Sequence, residues 1–198
     1  NLVKTRLSTG EMTDVFMYNS GSLMNNLNPT KNLIPLGDEA YVKDYTKPFT
    51  IAVTSTADKK IYGAPFGAGS GGGIMYNRKV YADLGLKVPD TWDQFMANNA
   101  KIKAAGKTAV LQTYGTTWTS QLFVLADFAN INTSDSNWGN DYTANKKKYS
   151  NVPALAGFQH TEDVFKAGYI NTDAAALTLD NGLKKLALGD AVHYPVLS

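Results

Sequence analysis

The chain has 198 residues, of which 43% are hydrophobic and 18% charged, and its formal net charge is +2. This composition is typical of a soluble globular protein with one large or two small domains. The only basic cluster, at residues 146–148, gives little support to nucleic-acid binding. With no cysteine and only two histidines, disulfides, thiolate metal sites and His-rich metal sites are excluded.

The sequence at each end of the chain is typical of an incomplete element of secondary structure. No signal peptide and no run of 18 apolar residues is present. The first nine residues are typical of the end of a helix, and the last ten are typical of a strand that is cut off. We therefore expect the chain to be a piece of a longer protein.

The first third of the chain contains short apolar segments separated by polar turns. Residues 14–18 follow a glycine-containing turn and predict a buried strand. Residues 19–21 carry a helix-start signal, and Pro29 ends that helix. Residues 47–56 are ambiguous, because their β-branched side chains favour a strand but their spacing does not settle it. Residues 59–65 predict a short strand.

From residue 74 onwards, predicted strands alternate with predicted helices. The predicted strands lie at 74–77, at 108–114 and at the C-terminal end, and the predicted helices lie at 78–84, from 89–94 to Gly106, from 116 or 117 through 129, at 154–166 and at about 181–188. Residues 130–151 predict a polar loop. This alternation predicts an α/β fold with a largely parallel sheet.

Two of these helices carry informative local patterns. Thr91 and Gln94 form a capping box, and Trp92 begins an apolar stripe at helical spacing, so that we expect this tryptophan in the core. Thr116 or Thr117 caps the helix that follows the strand at 108–114. The inward face of that helix is predicted to carry Leu122, Leu125, Ala126 and Ala129.

A glycine-rich segment, GAGSGGGIMYNRK, occupies residues 67–79. Three of its glycines match the G-x-G-x-x-G pattern of dinucleotide-binding loops. A nucleotide site would require a helix that starts directly at Gly73, whereas the next residues, IMYN, predict a strand. Residues without Cβ atoms between two strands instead let the backbone bend or a ligand come close. The composition break at 67–73 is therefore the best candidate boundary between two units.

Enzymatic sites find little support in the residues. A glycosidase needs two carboxylates across a cleft, but the three glutamates fall in predicted turns or on helical surfaces. Ser70 lies in G-S-G without matching the nucleophile-elbow pattern G-x-S-x-G, and its partner would be His160 or His193, which we expect to be structural. We expect no catalytic residue, metal or cofactor. A glycoside-processing enzyme with an aromatic sugar cleft is the alternative, which a carboxylate pair in the cleft would favour.

An aromatic residue is the strongest candidate for ligand binding. Trp118 stands in TTWT, directly after the predicted strand at 108–114, and ligands of open α/β sheets lie at the ends of strands. An exposed indole framed by Tyr114 and Thr117 suits stacking on the apolar face of a sugar ring, while hydroxyl groups hydrogen-bond its rim. The alternative is that Trp118 packs inward beside Leu122.

The order of motifs along the chain resembles that of a known family. The motifs are GEMTDVF at 10–16, KIYGAPF at 60–66, GGGIMYNRKV at 71–80, LGLKVPDTWDQF at 84–95, KIKAAGKT at 101–108 and ALGDAV at 187–192. They resemble the extracellular solute-binding proteins (family 1 type) of carbohydrate ABC transporters, and the resemblance covers nearly the whole chain.

The resemblance implies a periplasmic-binding-protein-like (type II) fold of two α/β lobes, present here as a fragment. Residues 1–70 would be the C-terminal part of lobe I and residues 71–198 most of lobe II, entered through a glycine-rich hinge at 67–73. The implied function is capture of a mono- or oligosaccharide in the cleft between the lobes and its delivery to the permease subunits of an ABC importer. The implied location is extracytoplasmic, with the protein anchored to the membrane as a lipoprotein.

The resemblance also implies ligand-binding positions. Tyr18, Asn19 and Ser22 fall where the family places cleft residues of the first lobe, and Trp118 falls where it often places a stacking aromatic residue of the second lobe. Ser70 and the neighbouring Gly71 lie in the crossing segment, where a hydroxyl and backbone N–H groups can reach the ligand. One departure is Leu197, which stands where relatives often have a glycine before a cleft tryptophan.

Overall fold

A computed structural model describes residues 2–67 and 71–197 of the chain. The chain divides into two compact units, Asn1–Gly69 and Ser70–Ser198. Within the described ranges, no helix is both long enough and apolar enough to cross a membrane.

The first unit is built from short helices. These are α1 (Leu2–Thr9), α2 (Ser22–Asn25), α3 (Pro29–Asn32), a 3-10 helix (Ala40–Asp44) and α4 (Lys47–Val53). Met24, Val53 and Tyr62 form a buried cluster in its core, and side chains such as Leu33 and Phe49 pack against them. The ambiguous segment at 47–56 therefore begins as a helix.

The strand predicted at residues 14–18 is wrong. This segment has no strand conformation, and Val15 and Met17 are 88% and 70% exposed. An apolar segment becomes a strand only where a second strand pairs with its N–H and C=O groups, and none does so in the described part of the first unit. The strand predicted at 59–65 is reduced to a single antiparallel bridge between Thr54 and Ile61.

The second unit contains a mixed sheet. Its described strands are β1 (Gly72–Tyr76), β2 (Thr108–Val110) and β3 (Ala191–Leu197), in the order β1-β3-β2. β2 runs parallel to β3, but β1 runs antiparallel to it. The prediction of a largely parallel sheet is therefore wrong. The direction of a strand depends on the path of the chain between it and its neighbour, so no local pattern in β1 reveals it.

β2 ends earlier than predicted because a side chain replaces the neighbouring strand. The backbone N–H of Gln112 donates to Asn171 Oδ1 at 2.7 Å, and Asn171 Nδ2 donates to the carbonyl oxygen of Gln112 at 3.0 Å. The buried side-chain amide of Asn171 therefore satisfies the backbone groups that a ladder would otherwise satisfy. The chain is free to turn directly afterwards.

Helices follow β1 and β2 of the second unit. They are α5 (Arg78–Asp83), α6 (Trp92–Ala104), a 3-10 helix (Thr117–Gln121), α7 (Leu122–Ser134), α8 (Trp138–Thr143), α9 (Ala156–Lys166) and α10 (Leu179–Leu188). The loop predicted at 130–151 is wrong, because it contains the end of α7 and the whole of α8. Trp138, in that segment, is 3% exposed and packs with Ile131 and Ala154.

Only one of the two hydrogen bonds expected of the capping box at the start of α6 is formed. Thr91 Oγ1 accepts from the backbone N–H of Gln94 at 3.3 Å, as the capping box predicts. Gln94 Oε1, however, accepts from the N–H of Asp90 at 2.8 Å, one residue before the cap. Phe95 and Ile102, on the predicted stripe, are buried.

The inward face predicted for α7 is only partly correct, because Leu122 is buried but Leu125, Ala126 and Ala129 are exposed. Leu125 is 48% exposed, whereas Phe123 and Ile131 are buried with Leu122. The helix is apolar on more than one side, so its sequence alone does not choose a face. Gly157 of α9 has no Cβ atom, and one placed there would lie 2.9 Å from the Cα of Val124. This close approach of α9 selects the buried side of α7.

The two faces of the sheet carry separate cores. Val110 and Val192 belong to one cluster with Phe95 and Ile102 of α6. Leu111, Tyr194 and Val196 belong to the other cluster, together with Leu122 and Leu177. Val110 and Leu111 fall in different clusters because successive side chains of an extended segment point to opposite faces.

Candidate functional site

The candidate site of the second unit is the turn that follows β2. Trp118 is 40% exposed there, and Thr117 beside it is also exposed. Tyr114 is half-buried, and burial raises the pKa of its hydroxyl above the ordinary value of 10.0, so that it stays a neutral donor near pH 7. These three predicted residues lie within five positions of one turn.

Hydrogen bonds to a neighbouring segment hold this turn in place. The backbone N–H of Tyr114 donates to the carbonyl of Ala174 at 2.8 Å, and that of Gly115 donates to Leu177 at 3.1 Å. Thr116 Oγ1 accepts from the N–H of Leu179 at 2.9 Å and so caps the start of α10 from outside that helix. The turn is part of the rigid body of the unit and not a free loop.

Gly115 allows this close packing. A Cβ atom at this position would lie 2.4 Å from the carbonyl oxygen of Ala176, closer than real contacts allow. The candidate ligand-binding residue Tyr114 directly precedes it, and the candidates Thr117 and Trp118 follow two and three positions later. A glycine is thus required for the turn to lie flat against the segment before α10.

An apolar groove of about 320 Å³ lies in the same unit, between α7 and the strands β1 and β3. Its lining residues are Gly72, Gly73, Leu122, Leu125, Ala126, Ala129, Val196 and Leu197. Leu197, whose position departs from the family pattern, lies opposite Gly72 in the sheet register and is 42% exposed. Gly71, the exposed residue before β1, directly precedes this groove in the chain.

The predicted residues of the first unit form a second group. Tyr18 is half-buried, while Asn19 and Ser22 are exposed. Gly21 has a positive φ of 68°, and its N–H donates to Ala52 of α4 at 2.7 Å, which fixes the turn that leads into α2. Ser70, the remaining predicted residue, lies outside the described residues.

Sequence reasoning missed an aromatic cavity on the α6 side of the sheet, with a volume of about 290 Å³. Tyr76, Tyr81, Trp92, Phe95, Asp90 and His193 are among the residues that line it. They come from four separate segments of the chain, so no local motif could have revealed it. Trp92 is half-buried, consistent with its predicted place on the packed stripe.

The two histidines have structural surroundings. His160 Nδ1 lies 2.7 Å from Asp127 Oδ2, and its ring stacks on Trp92 at 3.9 Å, which links α6, α7 and α9. His193 is 1% exposed and contacts the hydroxyl of Tyr81. In the part of the chain that the structure describes, no three His, Asp or Glu side chains are grouped to hold a metal ion.

Solved structures resemble this fold closely. A chitin oligosaccharide binding protein superposes with a TM-score of 0.84 at 20% identity, covering 100% of this chain and 49% of that one. The solute-binding protein RafE in complex with raffinose superposes with a TM-score of 0.73 at 24% identity, covering 99% and 51%. The chain therefore has the periplasmic-binding-protein-like (type II) fold and spans about half the length of these proteins.

Sequence comparison identifies the family. A multiple sugar-binding protein from Streptococcus mutans is 30% identical over 108 residues, which are 54% of this chain and 25% of that protein. An osmoprotective compounds-binding protein from Synechocystis is 28% identical over 105 residues, 52% of this chain and 25% of that protein. Residues 2–192 match the pattern of the bacterial extracellular solute-binding proteins. The chain belongs to this family of bacterial extracellular solute-binding proteins.

Proposed function

We propose that the complete protein is the carbohydrate-binding subunit of an ABC importer, a binding protein and not an enzyme. It captures a mono- or oligosaccharide between two lobes outside the cytoplasm and delivers it to the permease subunits of the importer. Binding energy shifts the equilibrium between an open and a closed conformation of the protein, and the permease subunits respond to that shift. A lipid anchor outside this chain keeps the protein at the membrane.

The exposed indole of Trp118 is the observation that carries this proposal. Sugar rings present apolar C–H faces that stack on aromatic rings, and a tryptophan offers the largest such surface. Most tryptophans bury their rings in the core, as Trp138 does at 3% exposed. Leaving 40% of Trp118 in water, on a turn fixed by backbone hydrogen bonds, gives a preorganised stacking surface.

The other ligand contacts are proposed from their positions. Tyr114 and Thr117 supply hydroxyl groups beside the indole, and Gly71 supplies a backbone N–H. Ser70 would contribute its hydroxyl from the crossing segment. Tyr18, Asn19 and Ser22 would supply contacts from the first lobe, and the exposed polar groups of Asn19 and Ser22 suit a polyhydroxyl ligand.

We also propose that residues 1–70 are the C-terminal part of lobe I, that residues 71–198 are most of lobe II, and that the glycines at 67–73 are the hinge. The surroundings of Gly72 and Gly73 support this hinge. Both have an ordinary strand conformation, and a Cβ atom at Gly73 would meet nothing within 4 Å. Glycine is therefore not required sterically here, but it is required if the backbone changes conformation during closure.

Names of relatives support the carbohydrate class. The Streptococcus mutans relative is a multiple sugar-binding protein, and the solved relatives include proteins in complex with raffinose and with stachyose. These ligands are those of the relatives. Because the ligands differ from one relative to another, the sugar that this protein binds is to be identified by experiment. Together with the chitin oligosaccharide, xylan and galactopyranose named for other solved relatives, these ligands define a panel of raffinose, stachyose, galactose and oligosaccharides of chitin and xylan.

Isothermal titration of the full-length protein with this panel tests the function. Calorimetry is preferred to fluorescence, because Trp118→Ala would remove one of the reporters. We expect one sugar class to bind, and Trp118→Ala to weaken that binding by about 1 kcal/mol or more, or roughly five- to tenfold. The matched control is Phe165→Ala, which removes another exposed aromatic ring of the same unit, 71% exposed on α9.

Each outcome has a definite meaning. Unchanged affinity in Trp118→Ala, with the variant folded, would remove this residue from the site. No binding of any sugar by the folded wild-type protein would contradict the carbohydrate class. Recovery of the bound sugar as shorter products after incubation, seen by chromatography, would instead support the glycoside-processing alternative.

A further inference from the structure

Three buried hydroxyl groups connect β3 to the turn that carries Trp118. The hydroxyl of Tyr194 lies 2.5 Å from Thr113 Oγ1, which in turn lies 3.1 Å from Thr119 Oγ1. Thr119 Oγ1 returns a hydrogen bond to the backbone carbonyl of Thr113 at 2.8 Å. All three side chains are at most 1% exposed. They form a continuous chain of hydrogen bonds, named here the hydroxyl chain.

The hydroxyl chain has a single consistent direction. Because Thr119 donates its proton to the Thr113 carbonyl, its oxygen accepts from the Thr113 hydroxyl. The Thr113 oxygen then accepts from Tyr194, whose neutral phenol is a donor. Each hydroxyl therefore donates once, and the hydroxyl chain ends at the backbone carbonyl of Thr113. Hydrogen bonds arranged in this way strengthen one another in an environment of low dielectric.

The surroundings leave the hydroxyl chain little room to rearrange. A Cβ atom on Gly182 of α10 would lie 2.5 Å from Thr113 Cγ2, so the helix backbone packs directly on this threonine. The carbonyl of Thr113 also accepts from the N–H of Thr116 at 2.9 Å. Both ends of the turn are thereby joined to β3, which lies at the centre of the sheet.

Thr119 and Trp118 are adjacent and face opposite environments. In a 3-10 helix, residues three apart lie on one side, and here both Thr116 and Thr119 hydrogen-bond to backbone groups through their hydroxyls, Thr116 accepting from the N–H of Leu179 and Thr119 donating to the carbonyl of Thr113. The intervening residues, Thr117 and Trp118, are left on the exposed side. The orientation of the indole thus depends on how firmly Thr119 is held.

We propose that Tyr194, Thr113 and Thr119 are positioning residues of the sugar site, which hold the 3-10 turn so that Trp118 presents its indole in one orientation. The inference rests on the proposed function for its link to sugar affinity. An aromatic platform that is already ordered loses less conformational freedom when ligand binds, so its anchors contribute to affinity without touching the ligand.

The test compares pairs of variants of the full-length protein. Thr119→Val removes the hydroxyl at constant shape, and Thr119→Ser retains it. Tyr194→Phe removes the phenol, and the matched control Tyr81→Phe removes another buried phenol, that of a residue 4% exposed whose hydroxyl contacts His193. Each variant is titrated by calorimetry with the sugar panel named above, and its stability is measured by urea unfolding.

A second readout does not require any sugar. Fluorine-labelled tryptophan is incorporated, and the resonance of Trp118 is assigned with Trp118→Phe. We expect Thr119→Val and Tyr194→Phe to shift or broaden this resonance and to weaken sugar binding by about fivefold or more. Thr119→Ser and Tyr81→Phe are expected to leave both the resonance and the affinity close to wild type.

The outcomes separate positioning from simple stability. Equal effects of Tyr81→Phe and Tyr194→Phe on the Trp118 resonance would show a general loss of stability and overturn the inference. An unchanged resonance and affinity in Thr119→Val would overturn it as well. If the resonance responds as expected while the wild type binds no sugar, the carbohydrate function fails but the positioning of Trp118 stands.

Discussion

His193 is the most strongly perturbed ionisable residue described in the second unit. Its imidazole is buried, lies 2.8 Å from Asn99 Oδ1 through Nδ1, and contacts the Tyr81 hydroxyl through Nε2. Burial disfavours the charged form and lowers the pKa of His193 from 6.5 to about 4. A neutral ring satisfies both contacts, because Nδ1–H can donate to Asn99 while Nε2 accepts from Tyr81.

This shift predicts a loss of stability in mild acid. The unfolded chain binds a proton at His193 below its ordinary pKa of 6.5, whereas the folded chain does so only near pH 4. The contribution is therefore fully present above pH 6.5 and is lost as the pH falls towards 4. Between these values, we expect the unfolding free energy of the wild type to fall by up to about 3 kcal/mol more than that of His193→Gln.

Urea unfolding of both proteins from pH 4 to pH 7 measures this difference. The carboxylates titrate in both proteins, so their contribution cancels in the comparison. Parallel curves for wild type and His193→Gln would contradict the assignment of a depressed pKa to His193.

At the scale of elements, the close crossing of α7 and α9 fixes how the helices after the Trp118 turn pack in the second unit. Gly157 lets the α9 backbone approach α7, and the Asp127–His160 pair joins the same two helices. Glycine in a helix is otherwise unfavourable relative to alanine. Its presence at position 157 is therefore explained by packing and not by helix propensity.

Gly157→Ala is expected to destabilise the protein by about 1–3 kcal/mol, because the added methyl group would press on the Val124 backbone. The matched control is Gly139→Ala in α8, where a Cβ atom would meet nothing within 4 Å. There the gain in helix propensity is expected to stabilise the protein by about 0.5–1 kcal/mol. Chemical denaturation measures both, and a stabilised Gly157→Ala would contradict the close crossing.

At the scale of the whole molecule, the glycine-rich segment between the two units is the feature that connects structure to the proposed mechanism. Gly72 and Gly73 already belong to β1, the strand that opens the second unit. β-Branched residues are the ones that strands favour, and Gly73 has room for one. Keeping glycine here lowers the intrinsic stability of β1, which is reasonable if the backbone must bend.

Gly73→Val therefore tests the hinge. We expect the stability of the folded protein to be unchanged or slightly raised, while sugar affinity and the sugar-induced decrease in radius of gyration are both reduced. Gly37→Val is the control, at another glycine with open surroundings. Small-angle X-ray scattering with and without sugar, together with calorimetry, provides the measurements. Full compaction and affinity in Gly73→Val would exclude bending at this residue.

Much of the helical structure could be predicted from local patterns. The Thr91 cap and the apolar stripe that follows it predicted α6, and the helices predicted at 78–84 and at about 181–188 correspond to α5 and α10. The family was also predictable, because its motifs occur in order along the chain. Trp118 was singled out by its position after a strand. The grouping of Tyr114, Thr117 and Trp118 followed from their closeness in sequence.

The failures have a common physical cause. The apolar run at 14–18 lacks a pairing strand in the described part of its unit, and Leu125 is exposed because Gly157 brings α9 against another side of α7. The aromatic cavity beside His193 collects side chains from distant segments. The hydroxyl chain likewise joins Thr113 to a tyrosine 81 positions away.

The amino-acid sequence by itself determined the bounds of some helices, such as α5 and α6, the family, and the aromatic residue of the candidate site, because caps, breakers and short motifs act within a few residues. Only the tertiary structure decided which strands pair and in which direction, which helix face is buried, and what holds Trp118 in place. These properties depend on hydrogen-bond partners and packing surfaces supplied by remote segments, and no local pattern contains that information.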